Sequence, residues 1–119
     1  MRISELSAKT KVSVHRLRRY ETDGLIASQR LSNGYRDYDG KTIKHVIFIA
    51  MAREMGFSLS WIAECLPRFK TGKLSPEEMM EAIRQRVADI DKLIAEQKEL
   101  RNKLINHIDW FRSKSRKLR

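Results

Sequence analysis

The hydrophobic positions near the start of the chain fall into two short groups. These are Ile3, Leu6 and Ala8 before the polar residues 9–11, and Val12, Val14 and Leu17 after them. Their spacing predicts two short helices joined by a tight turn. Ser13 can cap the second helix through its hydroxyl group, and Gly24 can end it at about Asp23. The pattern therefore begins as a helix-turn-helix.

The next two segments with hydrophobic residues lie on either side of a predicted turn. Residues 25–27 (Leu-Ile-Ala) predict a short strand, and residues 35–38 (Tyr-Arg-Asp-Tyr) predict the strand that returns beside it. Asn33-Gly34 lies between them and favours a hairpin turn, because both residue types accept positive φ angles. Two helices followed by a hairpin predict a winged helix-turn-helix.

Two supporting helices are predicted before residue 72. Asp39 can cap the first, and its inward positions are Ile43, Val46, Ile47, Ala50 and Met51. Ser58 can cap the second, and its inward positions are Leu59, Ile62, Leu66 and Phe69. Pro67 is expected to kink the second helix or end it one turn early.

A long helix is predicted after the linker at residues 71–73. Ser75 can cap it, Pro76 suits the first helical position and Glu78 completes a capping box. The chain contains no Gly or Pro beyond Pro76, so the helix can continue to about Phe111. A helix of that length spans roughly 54 Å.

One face of this helix carries an apolar stripe with steps of four and three residues. Its members are Ile83, Val87, Ile90, Ile94, Leu104, Ile108 and Phe111, the steps are broken by the polar residues Gln97 and Arg101, and Leu100 adjoins the stripe and completes the predicted dimer seam. This spacing is typical of a coiled-coil seam, and a helix this long overhangs a small domain, so a second copy of the chain is the expected partner. The predicted fold is mainly α, with a winged helix-turn-helix domain at 1–72, a dimerisation helix at 75–112 and a basic tail at 113–119.

The charge balance indicates what the protein binds. The 119 residues carry a net charge of +10, and residues 1–45 hold 10 basic against 5 acidic side chains. A polyanion fits this surface, because each neutralised phosphate releases counterions. No apolar run approaches the roughly 20 residues that cross a bilayer, and the first residues lack the apolar core of a signal peptide. We therefore expect a cytoplasmic protein that binds nucleic acid and does not enter a membrane.

The residues that enzymes and metal sites use are sparse. The chain has one cysteine, and its three histidines lie far apart, so no metal-ligand spacing is present and no metal or other cofactor is expected. No nucleophile lies beside a histidine, and there is neither a glycine-rich phosphate loop nor a pair of carboxylates above the background of helix-surface charge. The sequence does not predict an enzyme.

Several motifs in a fixed order carry a family resemblance. They are Val12-Ser13-Val14, Leu17-Arg18 with Tyr20-Glu21, Gly24-Leu25-Ile26, residues 33–38 (Asn-Gly-Tyr-Arg-Asp-Tyr) and residues 53–59 (Arg-Glu-Met-Gly-Phe-Ser-Leu). Together they resemble the MerR family of bacterial transcription regulators. The resemblance implies a second helix in the major groove, a wing on the phosphates and a long helix paired antiparallel with its twin. It also implies a homodimer that binds a pseudo-palindromic promoter site and distorts the DNA, with double-stranded DNA and, at the promoter, RNA polymerase as partners.

The resemblance and the residue types together assign the DNA-binding residues. The full set is Ser13, His15, Arg16, Arg18, Arg19, Tyr20, Tyr35, Arg36 and Tyr38. The arginines of the second helix are specificity candidates, because a guanidinium group can bind guanine through two hydrogen bonds. The family match implies that Tyr35 and Arg36 hold the backbone. Tyr20 either contacts a phosphate or packs under the wing, and Tyr38 either contacts DNA or covers the inner face of the hairpin.

Some positions depart from the family pattern. Arg16 and Arg19 stand where the family commonly has Thr and an aromatic residue, which makes the recognition helix more basic. Lys11 occupies a turn position where Gly is usual. Metal-responsive members carry cysteines near the end of the long helix, where this chain has none at residues 106–111, so the resemblance argues against a thiolate metal sensor.

Three alternatives stay open. Cys65 is either a small half-buried side chain or a redox sensor, whose thiol would need a lowered pKa and access to solvent. The basic tail is either only solvated or adds nonspecific DNA affinity. The whole protein could instead be an architectural or excisionase-like DNA-bending factor, or a coiled-coil adaptor.

Overall fold

The computed structural model describes residues 1–117, which form two compact units. The first comprises Met1–Leu74 and the second begins at Ser75. The first unit contains α1 (Ile3–Thr10), α2 (Val14–Thr22), β1 (Gln29–Arg30), β2 (Arg36–Asp37), α3 (Thr42–Glu54) and α4 (Leu59–Lys70). The second is the single helix α5 (Pro76–Lys117). The chain is therefore mainly helical with a winged helix-turn-helix at its start, as predicted.

The turn between α1 and α2 has the predicted geometry. Lys11 adopts a left-handed conformation with a φ of 59°, and its N–H donates to the Ser7 carbonyl at 2.8 Å. A residue with a side chain accepts this conformation at a cost of roughly 1 kcal/mol. Ser13 caps α2, since its hydroxyl oxygen accepts a hydrogen bond from the backbone N–H of Arg16 at 3.1 Å.

The wing, which comprises β1, β2 and the turn between them, begins later than predicted. The strand predicted at residues 25–27 is wrong, because Leu25 and Ile26 form part of the buried core without pairing as a strand. Neighbouring strand residues point to opposite faces, so a strand could not bury both side chains in one core. The observed strands are antiparallel, with Arg30 opposite Arg36, and Gly34 lies in the turn with a φ of 86°.

The inward face of α3 was only partly predicted. Val46 is buried as expected, but Ile47 and Met51 are exposed, while Ile49 and Ala52 fill the core instead. This helix carries apolar residues on more than one side, so their spacing alone does not identify the buried face.

Helix α4 also differs from the sequence prediction. Ser58 caps it through a 3.1 Å hydrogen bond from the N–H of Trp61, but Leu59 is exposed rather than inward. The helix continues through Pro67 to Lys70, so the prediction of an early end is wrong. Phe69 lies on the last turn and stacks on Phe48 of α3 with ring centroids 4.3 Å apart.

Helix α5 begins with Ser75 as its cap, as predicted, and Glu78 lies in the position expected for its partner. The Ser75 hydroxyl oxygen accepts from the Glu78 N–H at 3.1 Å and donates to the Glu78 carboxylate at 3.4 Å. The helix extends past Phe111 and comprises 42 residues, or roughly 63 Å. It therefore includes part of the predicted basic tail, whose last two residues, Leu118 and Arg119, lie outside the described chain.

Candidate nucleic-acid interface

Helix α2 presents a basic face because its apolar residues are drawn inward. Leu17 is fully buried and anchors the helix in the core. The four polar side chains predicted to approach bases are all exposed, and they are His15, Arg16, Arg18 and Arg19. The first turn of the helix contains no acidic residue. The helix therefore offers hydrogen-bond donors for base edges and phosphates along one exposed surface.

Tyr20 points to the opposite side of α2. Its side chain is buried, and its hydroxyl group has no hydrogen-bond partner among the described residues. The position agrees with packing under the wing. Direct contact of Tyr20 with a phosphate stays a prediction, and it requires the hydroxyl group to become accessible.

Glu21, the next residue on α2, joins the recognition helix to the wing. Its carboxylate accepts hydrogen bonds from the Tyr38 hydroxyl at 2.5 Å and the Ser28 hydroxyl at 3.2 Å. Its Oε2 atom also lies 3.5 Å from Nε of Arg36. The sequence indicates no role for Glu21 beyond its place in the Tyr20-Glu21 motif, because its partners lie distant in the chain.

The position of Tyr38 favours one of its two predicted roles. Only 1% of the residue is exposed, which agrees with the alternative that it covers the inner face of the hairpin, and direct contact of Tyr38 with DNA stays a prediction that requires the side chain to become accessible. Burial, followed by the hydrogen bond to Glu21, raises the pKa of Tyr38 above its ordinary value. Its hydroxyl group therefore remains a protonated donor to the carboxylate.

The wing brings further arginines beside α2. Tyr35 is exposed, and Cζ of Arg2 lies 4.2 Å from the centre of its ring. The Arg30 guanidinium donates to the Gly34 carbonyl at 3.3 Å. These groups belong to a shallow concavity, here called the wing cleft, which is lined by Arg2, Ile3, Ser4, Arg18, Arg30, Gly34, Tyr35 and Arg36. Sequence reasoning missed Arg2 and Arg30, and only the basic excess of residues 1–45 pointed towards them.

Comparison with known proteins identifies the family. Residues 1–68 match the family model described as MerR HTH family regulatory protein, and residues 43–106 match the model described as MerR, DNA binding. The chain belongs to the MerR family. It is therefore a DNA-binding transcription regulator, and the resemblance seen in its sequence is confirmed.

Individual MerR-family proteins are similar over most of the chain. The HTH-type transcriptional regulator HmrR of Rhizobium leguminosarum bv. viciae is 30% identical over 104 residues, which cover 87% of this chain and 81% of HmrR. CueR of Salmonella typhi is 29% identical over 106 residues, covering 88% and 77% respectively. The structure of PbrR691 from Ralstonia metallidurans CH34, in complex with lead(II), matches with a TM-score of 0.70 and 27% identity over 89% of this chain and 83% of PbrR691.

The remaining candidate features of this MerR-family chain are less distinctive. Cys65 lies half-buried on α4, which suits a small packed side chain, and its role as a redox sensor stays a prediction. Within residues 1–117, no three or more His, Cys, Asp or Glu side chains are grouped so as to hold a metal ion. The same residues include no helix long and apolar enough to cross a membrane.

Proposed function

We propose that this regulator acts as a homodimer that binds a pseudo-palindromic promoter site through its two α2 helices. The exposed apolar surface of α5 is the observation that carries this proposal. Its exposed large apolar residues are Met80, Val87, Ile90, Leu93, Ile94, Leu100, Leu104, Ile105, Ile108, Trp110 and Phe111. Seven of the eight residues assigned to the dimer seam are in this set, and Ile83 is half-buried.

The extent of this surface requires a partner. Water exposure of apolar side chains costs about 25 cal/mol per Å², and soluble monomers rarely expose a large contiguous apolar patch. A second α5 supplies the complementary stripe, because both copies repeat the same seam spacing. We infer an antiparallel pair, which sets the distance between the two recognition helices.

The paired recognition helices determine the class of DNA site. A twofold dimer presents two copies of the exposed arginine face, so the matching DNA site is an inverted repeat. Arg16, Arg18 and Arg19 contact or approach base edges, whereas Tyr35 and Arg36 of the wing hold the backbone and fix the register. The dimer distorts the DNA between the half-sites and thereby changes how RNA polymerase uses the promoter.

Selection of bound duplexes from random DNA tests the proposal. The expected product is an inverted repeat with a fixed separation between half-sites, found between promoter elements of the source genome. Selection of isolated half-sites, or of two half-sites without a fixed separation, would contradict the homodimer. Sites clustered at recombination or partition loci would instead support the architectural, excisionase-like function.

A further inference from the structure

The wing cleft concentrates positive charge without acidic groups in its lining. Four of its eight lining residues are arginines, and the others are Ile3, Ser4, Gly34 and Tyr35. Of the four guanidinium groups, that of Arg36 is partly neutralised by Glu21, which lies outside this lining, at 3.5 Å. Like charges brought together in this way repel one another, and an anion placed among them removes that repulsion.

Arg2 is held in the cleft by both its backbone and its side chain. The N–H of Tyr38 donates to the Met1 carbonyl at 2.7 Å, which ties the residue before Arg2 to the end of the wing. The Arg2 carbonyl then accepts from the N–H of Leu6 at 3.1 Å, which starts α1. The guanidinium carbon lies 4.2 Å from the centre of the Tyr35 ring, a cation–π distance.

This placement leaves Arg2 suitable for an anion. A guanidinium group that contacts a ring through its face keeps its N–H edges for other partners. Arginine N–H edges match the spacing of two phosphate oxygens, and such charge-assisted pairs are among the stronger hydrogen bonds. Arg18 of the recognition helix lines the same cleft, so a bound phosphate would contact α1, α2 and the wing together.

We propose that Arg2 is a phosphate-binding residue and that the wing cleft takes one backbone phosphate of duplex DNA. The inference rests on the proposed DNA-binding function and adds the start of α1 to the interface. It implies that the residues before the helix-turn-helix strengthen binding without reading sequence, since phosphate contacts fix position rather than base identity.

The test compares Arg2→Gln with Lys9→Gln in the full chain. Lys9 belongs to α1, the helix that begins directly after Arg2, but it lies outside the cleft and pairs with Glu5 at 3.2 Å, so both variants lose one positive charge from the same part of the chain. Binding to a random-sequence duplex is titrated over a range of salt concentrations. Each phosphate contact contributes about 0.9 to the slope of log K against log salt, so Arg2→Gln lowers the slope by about 2 per homodimer. Lys9→Gln leaves it unchanged.

The possible outcomes separate this inference from the proposed function. An unchanged slope for Arg2→Gln, with normal binding by the wild type, overturns the role of Arg2 and leaves the regulator intact. Equal losses in both variants show a general charge effect and also overturn it. A wild type that binds no duplex overturns the proposed function itself.

Two further variants keep the test independent of folding. Arg2→Lys retains the positive charge but lacks the planar guanidinium group with its paired N–H donors. The slope of log K against log salt should therefore persist, while the affinity for DNA falls several-fold. Tyr35→Leu removes the ring that holds Arg2, and in that background Arg2→Gln has a smaller effect than in the wild type. Additive losses for Arg2→Gln and Tyr35→Leu would contradict the proposed arrangement. Circular dichroism melts establish that each variant is folded before it is titrated.

Discussion

The Tyr38 hydroxyl group lies 2.5 Å from Oε1 of Glu21 and joins the residue that follows β2 of the wing to α2 across 17 residues of sequence. The same carboxylate accepts from Ser28 and pairs with Arg36. One side chain therefore orients the wing relative to α2, the two elements through which we propose that the chain binds DNA. The geometry of this proposed DNA-binding surface depends on the partly buried connection as well as on the exposed arginines.

Replacing Glu21 by Ala is expected to weaken both folding and DNA binding. The change leaves the buried Tyr38 hydroxyl without its acceptor, and hydrogen bonds to charged groups contribute about 1.5–3 kcal/mol each. Because 21% of the Glu21 side chain is exposed, we expect the loss in unfolding free energy to lie near the lower end, about 1–2 kcal/mol. Urea denaturation measures it, with Glu64→Ala on the exposed side of α4 as the control. Equal midpoints for the two variants would show that the connection contributes nothing.

Alkaline pH is expected to weaken the same connection. The pKa of Tyr38 is raised in the folded chain by burial and then by Glu21, so folding favours the neutral phenol. This contribution is complete below the unfolded pKa of about 10 and is lost as pH rises through the higher folded value. The wild type should therefore lose stability above about pH 10 more steeply than Tyr38→Phe. Parallel stability curves for the two proteins would contradict this assignment.

The features predicted correctly from sequence depend on local chemistry. Ser13 and Ser75 cap their helices through backbone groups three residues away, and Gly34 lies in its turn with a positive φ. Each requires only neighbouring residues. The connection at Glu21 could not be predicted in this way, because Tyr38 reaches it only once the wing has folded onto α2.

Burial was harder to predict than helix formation. On α3, Ile47 and Ile49 are both apolar, but only Ile49 is buried. The choice depends on how α1 and α4 pack against the helix, and the spacing of its own residues does not contain that information. Arg2 was missed for a related reason, because its partner Tyr35 belongs to the wing and is distant in sequence.

Arg18→Ala is expected to abolish sequence-specific DNA binding while the dimer persists. Arg18 is exposed on α2, and it also lines the cleft shared with the wing, so its loss removes contacts to DNA but none in the core. Loss of one well-placed base contact costs about 1–3 kcal/mol per half-site, which is about 30-fold or more in affinity for a dimer. A gel-shift titration on the selected site measures it, with Lys103→Ala on α5 as the charge-matched control. Retained affinity would refute α2 as the recognition helix.

Mild acid is expected to destabilise the first unit through His45. The imidazole is half-buried on α3, with its ring centroid 6.4 Å from that of Phe69. Burial and then nearby Lys70 lower the pKa of His45, while Asp39 opposes the shift. Folding thus favours the neutral ring, and this stability is present above about pH 6.5 and lost as pH falls through the lowered folded pKa.

Thermal melts between neutral and mildly acidic pH test the role of His45. The melting temperature of the wild type should fall further on acidification than that of His45→Gln, which has no ionisable group at that position. His15→Gln on the exposed face of α2 serves as the control and should follow the wild type. If His45→Gln follows it as well, protonation of this ring does not contribute to acid destabilisation.

Proline in the middle of α5 is expected to separate the dimer. Ile94→Pro removes a backbone hydrogen bond and kinks the helix at a cost of about 3 kcal/mol, so the two apolar seams no longer match along their length. Glu77→Pro is the matched control, because the first turn of a helix lacks that hydrogen bond and tolerates proline. Sedimentation should give monomers for Ile94→Pro and dimers for Glu77→Pro. DNA affinity of the monomer should fall steeply, since each half-site is then bound alone. An unchanged dimer in Ile94→Pro would contradict the seam assigned to α5.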